Sequence, residues 1–115
     1  MGLFGTHRKP GEAHSLLIRI RLSDDAMGTS DELALVQDLG GTIAGSIDPA
    51  IGMVEGGSAG GGFATLTLKG PDADAIFDAI APLLESHSFR AGSEVIKRYG
   101  PEGSPEERID LHRDG

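Results

Sequence analysis

At 115 residues, with 10 Lys and Arg against 18 Asp and Glu, the chain carries a formal charge of -8 and has the size of one domain. It contains no cysteine, which excludes disulfide stapling, Cys-ligated zinc and thiol catalysis. Net acidity argues against nucleic acid and anionic membrane as partners, because phosphate attraction needs a positive field. No apolar run approaches the ~20 residues of a membrane helix.

Met1 to His14 is rich in Gly and charge and lacks the apolar segment of a secretory signal. Residues 1–13 read as a flexible lead-in, 14–100 as a single domain and 101–115 as a tail; the expected location is cytoplasmic. Leu16, Ile18, Ile20 and Leu22 alternate with Leu17, Arg19 and Arg21, the period of a half-buried strand. Thr29 stands three residues before Glu32, the spacing of a capping box. Leu35, Val36 and Leu39 then share one helical face, and Gly40-Gly41 reads as the helix stop. This predicts a first helix of about ten residues.

Ile43 to Glu55 reads as a second strand, interrupted by Asp48-Pro49 and therefore at a sheet edge or bulged. Residues 56–62, Gly-Gly-Ser-Ala-Gly-Gly-Gly, read as a mobile hairpin loop. Phe63 to Lys69 is a third strand, with Ala64, Leu66 and Leu68 on one face and Phe63, Thr65, Thr67 and Lys69 on the other. Pro71 suits the first turn of a second helix, and Asp72 and Asp74 complement its dipole. Ile76, Phe77, Ile80, Leu83 and Leu84 form the buried stripe of that helix. Glu94 to Tyr99 is a fourth strand, and within the tail 108–111 admits a short further one.

The order β-α-β-β-α-β predicts a ferredoxin-like α+β fold: a four-stranded antiparallel sheet with two helices on one face, strands one and three central. The segments Gly70-Pro-Asp-Ala-Asp-Ala-Ile-Phe, Pro82-Leu-Leu and Arg98-Tyr-Gly-Pro-Glu-Gly resemble a family of small bacterial proteins with a "GPDAD…PLL…RYGP" pattern. In that family an acidic Gly-rich segment precedes the first motif, where Glu55 and Gly56 fall here. This chain departs from the pattern in carrying Leu68-Lys69 before Gly70, where the family has an aromatic, and bare glycines where acids are expected. The resemblance spans about residues 42 to 111 and implies a domain type without an activity.

The glycine run lacks the Gly-Lys-Ser/Thr opening a helix that a phosphate-binding loop requires, so a hairpin is the simpler meaning. The histidines at 7, 14, 87 and 112 show no metal-ligand spacing and read as surface or capping residues; no metal or cofactor is implied. The sheet face away from the helices is the candidate site: Arg19 and Arg21, Thr65, Thr67 and Lys69, and, if Ile96 faces inward, Lys97 beside Val95 and Tyr99. Guanidinium forks bind carboxylate and phosphate in bidentate fashion. That face reads as a solvated surface, a homodimer face, or a site for an anionic ligand or acidic protein partner. Between Arg21 and Lys69 there is no Lys or Arg but seven carboxylates, which reads as a solvated acidic surface or as one that meets a basic partner. The leading expectation is a non-enzymatic partner- or small-ligand-binding protein. The alternatives are a small enzyme of the dimeric α/β-barrel type and an acidic immunity-type inhibitor of a basic protein.

Overall fold

The computed structural model describes residues 13–26, 28–101 and 103–112; most of the expected lead-in and the last three residues of the tail lie outside them. The elements are β1 (His14–Arg21), α1 (Ser30–Ser46), β2 (Met53–Gly60), β3 (Phe63–Gly70), α2 (Ala73–Glu85), β4 (Glu94–Arg98) and β5 (Glu106–Asp110). They form an α+β structure with one antiparallel sheet in the order β2-β3-β1-β4-β5. Five strands stand where four were expected, because the tail returns as β5 alongside β4.

β1 and β3 are central, and their alternation is the reason. Leu16 and Ile18 pair with Leu68 and Leu66 on one side of the sheet, and all four are buried. Val95 of β4 lies opposite Ile18 and completes the sheet's share of the core. α2 adds Ile76, Ile80 and Leu84, and α1 adds Leu39 and Ile43, with Ile47 at its C-cap. Both helices thus cover the same sheet face. α1 sits over β2 and β3, and α2 over β1, β3 and β4.

α1 runs seventeen residues, through the Gly40-Gly41 pair read above as its stop. Ile43 and Ile47 fall in the expected second strand, but their spacing of four continues the helical face of Val36 and Leu39, and burying both rewards another turn and a half of helix. Gly40 also packs where a larger residue would crowd: a Cβ there would lie 3.3 Å from Leu66 Cδ2. Asp48-Pro49 then ends the helix, since proline drives the preceding residue out of helical conformation.

The glycine run is a strand. β2 spans Met53–Gly60 and pairs with β3 from Met53↔Lys69 to Gly60↔Phe63, with a bulge at Glu55 between Val54 and Gly56. Only Gly61 and Gly62 form the turn. Both have positive φ, +62° and +89°, as a two-residue type I′ hairpin requires. A Cβ on Gly62 would also collide with the Arg21 guanidinium. The expected mobile loop is therefore an edge strand and a tight turn, and Pro49 lies before the strand.

Among the described residues no helix is long and apolar enough to cross a membrane.

Candidate functional site

The expected sheet-face site is only partly assembled. Register puts Arg19 opposite Thr65, Arg21 opposite Phe63, and Lys69 opposite Ser15, with Thr67 opposite Leu17, all on the face away from the helices. Lys97 is not there. It pairs with Leu16 and so points to the helix side; Glu94, Ile96 and Arg98 take the open face of β4 instead. Val95 and Ile96 are both apolar, so alternation alone left the parity of this strand undetermined, and Val95 rather than Ile96 packs on Ile18.

The open face carries a continuous ribbon of ion pairs. Arg19 and Arg108 each place Nη1 2.8 Å from the same Glu94 oxygen, Oε2. Arg108 reaches Glu106 at 3.8 Å, and Arg98 Nε donates to Glu106 at 2.8 Å. Arg19 also stacks 4.1 Å over the Phe63 ring. Arg21 pairs with Asp25 at 2.7 Å and donates to the Gly62 carbonyl at 3.2 Å. Lys69 lies 3.6 Å from Glu55. The guanidinium forks meant for a ligand are already occupied by this chain's own groups.

On the helix side, Lys97 belongs to a clamp between β4, β5 and α2. Its amine lies 3.0 Å from Asp74 Oδ1 and 3.7 Å from Glu107 Oε1, 4.8 Å over the Phe77 ring, with the side chain 11% exposed. The Tyr99 hydroxyl shares its single proton between Asp74 Oδ1 at 2.8 Å and Glu107 Oε1 at 2.9 Å. Hydrogen bonds from Lys97 and Tyr99 hold the Asp74 carboxyl below its ordinary range. Burial alone would lower Lys97, but Asp74 and Glu107 outweigh it and the net direction is up. Burial, then Asp74 and Glu107, push Tyr99 up. Every shift deepens the ordinary charge state at neutral pH, the reverse of what acid–base catalysis needs.

His7 lies outside the described residues; His14 and His87 sit at the two ends of α2. His14 Nδ1 accepts from the Ala73 N–H at 3.0 Å, at the start of α2. His87 and His112 sit 2.9 Å from the Leu83 and Phe89 carbonyls. Among the described residues no group of three or more His, Asp or Glu is placed to hold a metal ion.

A concave apolar feature lies beside α1. A gap of about 390 Å³ remains between α1 and the segment 87–90 that follows α2. Ile20 and Leu22 form its floor, Leu35, Val36 and Leu39 one wall, and Phe89 the other. Leu35 is 66% exposed. Across the mouth, Arg90 Nη2 lies 3.4 Å from Glu32 Oε2. Glu32 is fixed in turn by the Thr29 N–H at 2.9 Å, the Ser23 hydroxyl at 2.8 Å and the Ser23 N–H at 3.0 Å. The Thr29 backbone bond, followed by the Ser23 hydroxyl, lowers its pKa, so this rim carboxylate is ionised at neutral pH. The capping box was legible in the sequence; the pocket it borders was not, since residues 87–90 carry no periodic pattern.

Comparison with protein-family models, curated proteins and solved structures gives no match to this chain.

Proposed function

We propose that this protein is a non-enzymatic binding domain whose site is the gap between α1 and residues 87–90, and that its ligand is a small, mainly apolar molecule. The observation that carries this reading is a cavity of about 390 Å³, walled by six apolar side chains and spanned at its mouth by the Glu32–Arg90 pair. Ligand sites typically have this size and makeup, an apolar body with a few polar groups at fixed points. Arg90 is more than half exposed and its pairing distance is long, so a ligand's anionic head can take it over from Glu32 at small cost.

The sheet face supports binding less well. An anion at Arg19 must displace Glu94, and pairing two such faces, or enclosing a catalytic cavity between them, buries the ribbon. Desolvation costs several kcal/mol per ion. The acidic stretch is also largely committed within the chain. Asp25, Glu32 and Glu55 sit in ion pairs, and Asp24 and Asp48 accept backbone N–H groups in turns.

The test is titration with N-phenyl-1-naphthylamine, an apolar fluorophore, followed by displacement with a series of medium-chain carboxylic acids. Leu35→Glu removes an exposed wall residue without touching the core. It is expected to weaken dye binding about tenfold or more while leaving the melting temperature unchanged. A wild-type chain that binds no dye, or a variant that binds as well as wild type, overturns the reading.

A further inference from the structure

We propose that β2 is an assembly edge, through which two copies of this chain join strand to strand, antiparallel about a two-fold axis, to make one continuous sheet.

The two edges of the sheet are built differently. β5 has four charged residues in five, Glu106, Glu107, Arg108 and Asp110. Charges of this kind are the usual guard against edge-to-edge pairing. β2 ends the sheet on the other side, and among the described residues no strand lies beyond it. From Gly56 to Gly60 it carries nothing larger than Ser58 and no charge. Glu55, its one carboxylate, is set apart by the bulge and paired with Lys69 of the same chain. Beyond the bulge the strand stays in regular register with β3, so its outward N–H and C=O groups are spaced for another strand.

A second feature adjoins this edge. A groove of about 460 Å³ runs between β2 and α1, lined by Leu33, Val36 and Gln37 above and by Val54, Ala59 and Leu66 below, with no charged residue. In a chain of net charge -8, the stretch Gly56–Gly60 and the lining of the groove beside it hold no carboxylate, and there two copies meet with the least repulsion. A strand also pairs with its own copy under two-fold symmetry without any further sequence code, and that symmetry sets the two apolar grooves against each other. A foreign peptide, by contrast, is selected by pockets for its alternate side chains, and the stretch Gly-Gly-Ser-Ala-Gly contributes almost no side chain to build them.

The experiment is sedimentation of the full chain over a wide concentration series, combined with cysteine cross-linking. Because the chain has no cysteine, each introduced thiol reports one position. Gly57→Cys, Ser58→Cys and Ala59→Cys are oxidised alongside Thr65→Cys, which lies on the open face of the central β3. The expected result is a concentration-dependent dimer that cross-links at one or more of positions 57–59 and not at 65, since directly opposed strand residues lie within disulfide reach. A monomer at all concentrations, a dimer that cross-links at 65, or a dimer that cross-links at none of the four overturns the proposal.

Discussion

α1 and α2 rest on the same face of the same sheet, yet they are held in opposite ways. α2, thirteen residues long, buries Ala73, Ile76, Ile80 and Leu84, and its first turn is fixed by the Asp72 cap, by His14 and by the Lys97–Asp74–Tyr99 clamp. α1 is seventeen residues long and buries only Leu39, Gly40 and Ile43. It is capped well at its start, but open grooves run along both its sides. One helix closes the core; the other is propped over it and leaves space on either hand. Contiguous concave apolar space in a protein this small arises where an element is underpacked, so the proposed site and the proposed assembly edge both border α1.

The largest expected effect separates the helices through their cores. Ile80 is fully buried, and Ile80→Ala should cost about 4 kcal/mol, combining lost transfer energy with an enclosed void. Leu39 is also buried but lines the gap beside α1. Leu39→Ala widens an existing opening, so the cavity contribution is small and the cost should be about 2 kcal/mol. Urea unfolding of both variants checks the difference. Equal costs would mean that α1 is seated as firmly as α2 and that the gap is closed in solution.

The next effect probes the clamp. Lys97→Met keeps the apolar stem over Phe77 and removes the charge. The Asp74 pKa is depressed below its ordinary 3.8, so its contribution is present above that pH and is lost as pH falls through the folded value. The Lys97 pKa is raised above 10.5, so its contribution is present below that pH and is lost as pH rises through the folded value. Wild type should therefore exceed Lys97→Met in urea midpoint by a constant margin between these limits, and the margin should shrink in acid below pH 3.8 and in strong base. A margin that persists unchanged in acid would show that Lys97 acts through packing rather than charge.

What the sequence revealed follows the same division. β1, β3 and α2 were legible because each is packed along one whole face, so that alternation or helical period is written into nearly every residue. α1 is longer than its pattern suggests: its glycines look like a terminus when propensity is weighed alone, while the informative signal is the four-residue interval from Ile43 to Ile47. The strand Gly56–Gly60 has almost no side chains from which to read a period, and it is a strand because β3 offers a full ladder beside it. β5 carries one apolar residue, Ile109, and owes its place to pairing with β4 and to the ions of Glu94, Arg98, Glu106 and Arg108. Arg19 and Arg21 lie on the face that their alternation with Ile18 and Ile20 implies, but their partners Glu94 and Asp25 come from register and loop geometry, which no local pattern encodes.

The smallest effect addresses why α1 tolerates two adjacent glycines. A Cβ on Gly41 would meet no atom within 4 Å, and the residue does not have positive φ, so nothing in the packing requires glycine there. Gly41→Ala should therefore stabilise the chain by about 0.5–1 kcal/mol, through helix propensity and a less flexible unfolded state. Gly40→Ala gains the same propensity but places its methyl 3.3 Å from Leu66 Cδ2, so Leu66 must shift, and the net gain should be smaller or reversed. The two variants sit one residue apart on the same helix and differ only in which way they face, so their difference isolates packing from propensity. If Gly41→Ala destabilises the protein while leaving its helicity unchanged, the outer surface of α1 is covered in solution, and α1 is not the more loosely held of the two helices.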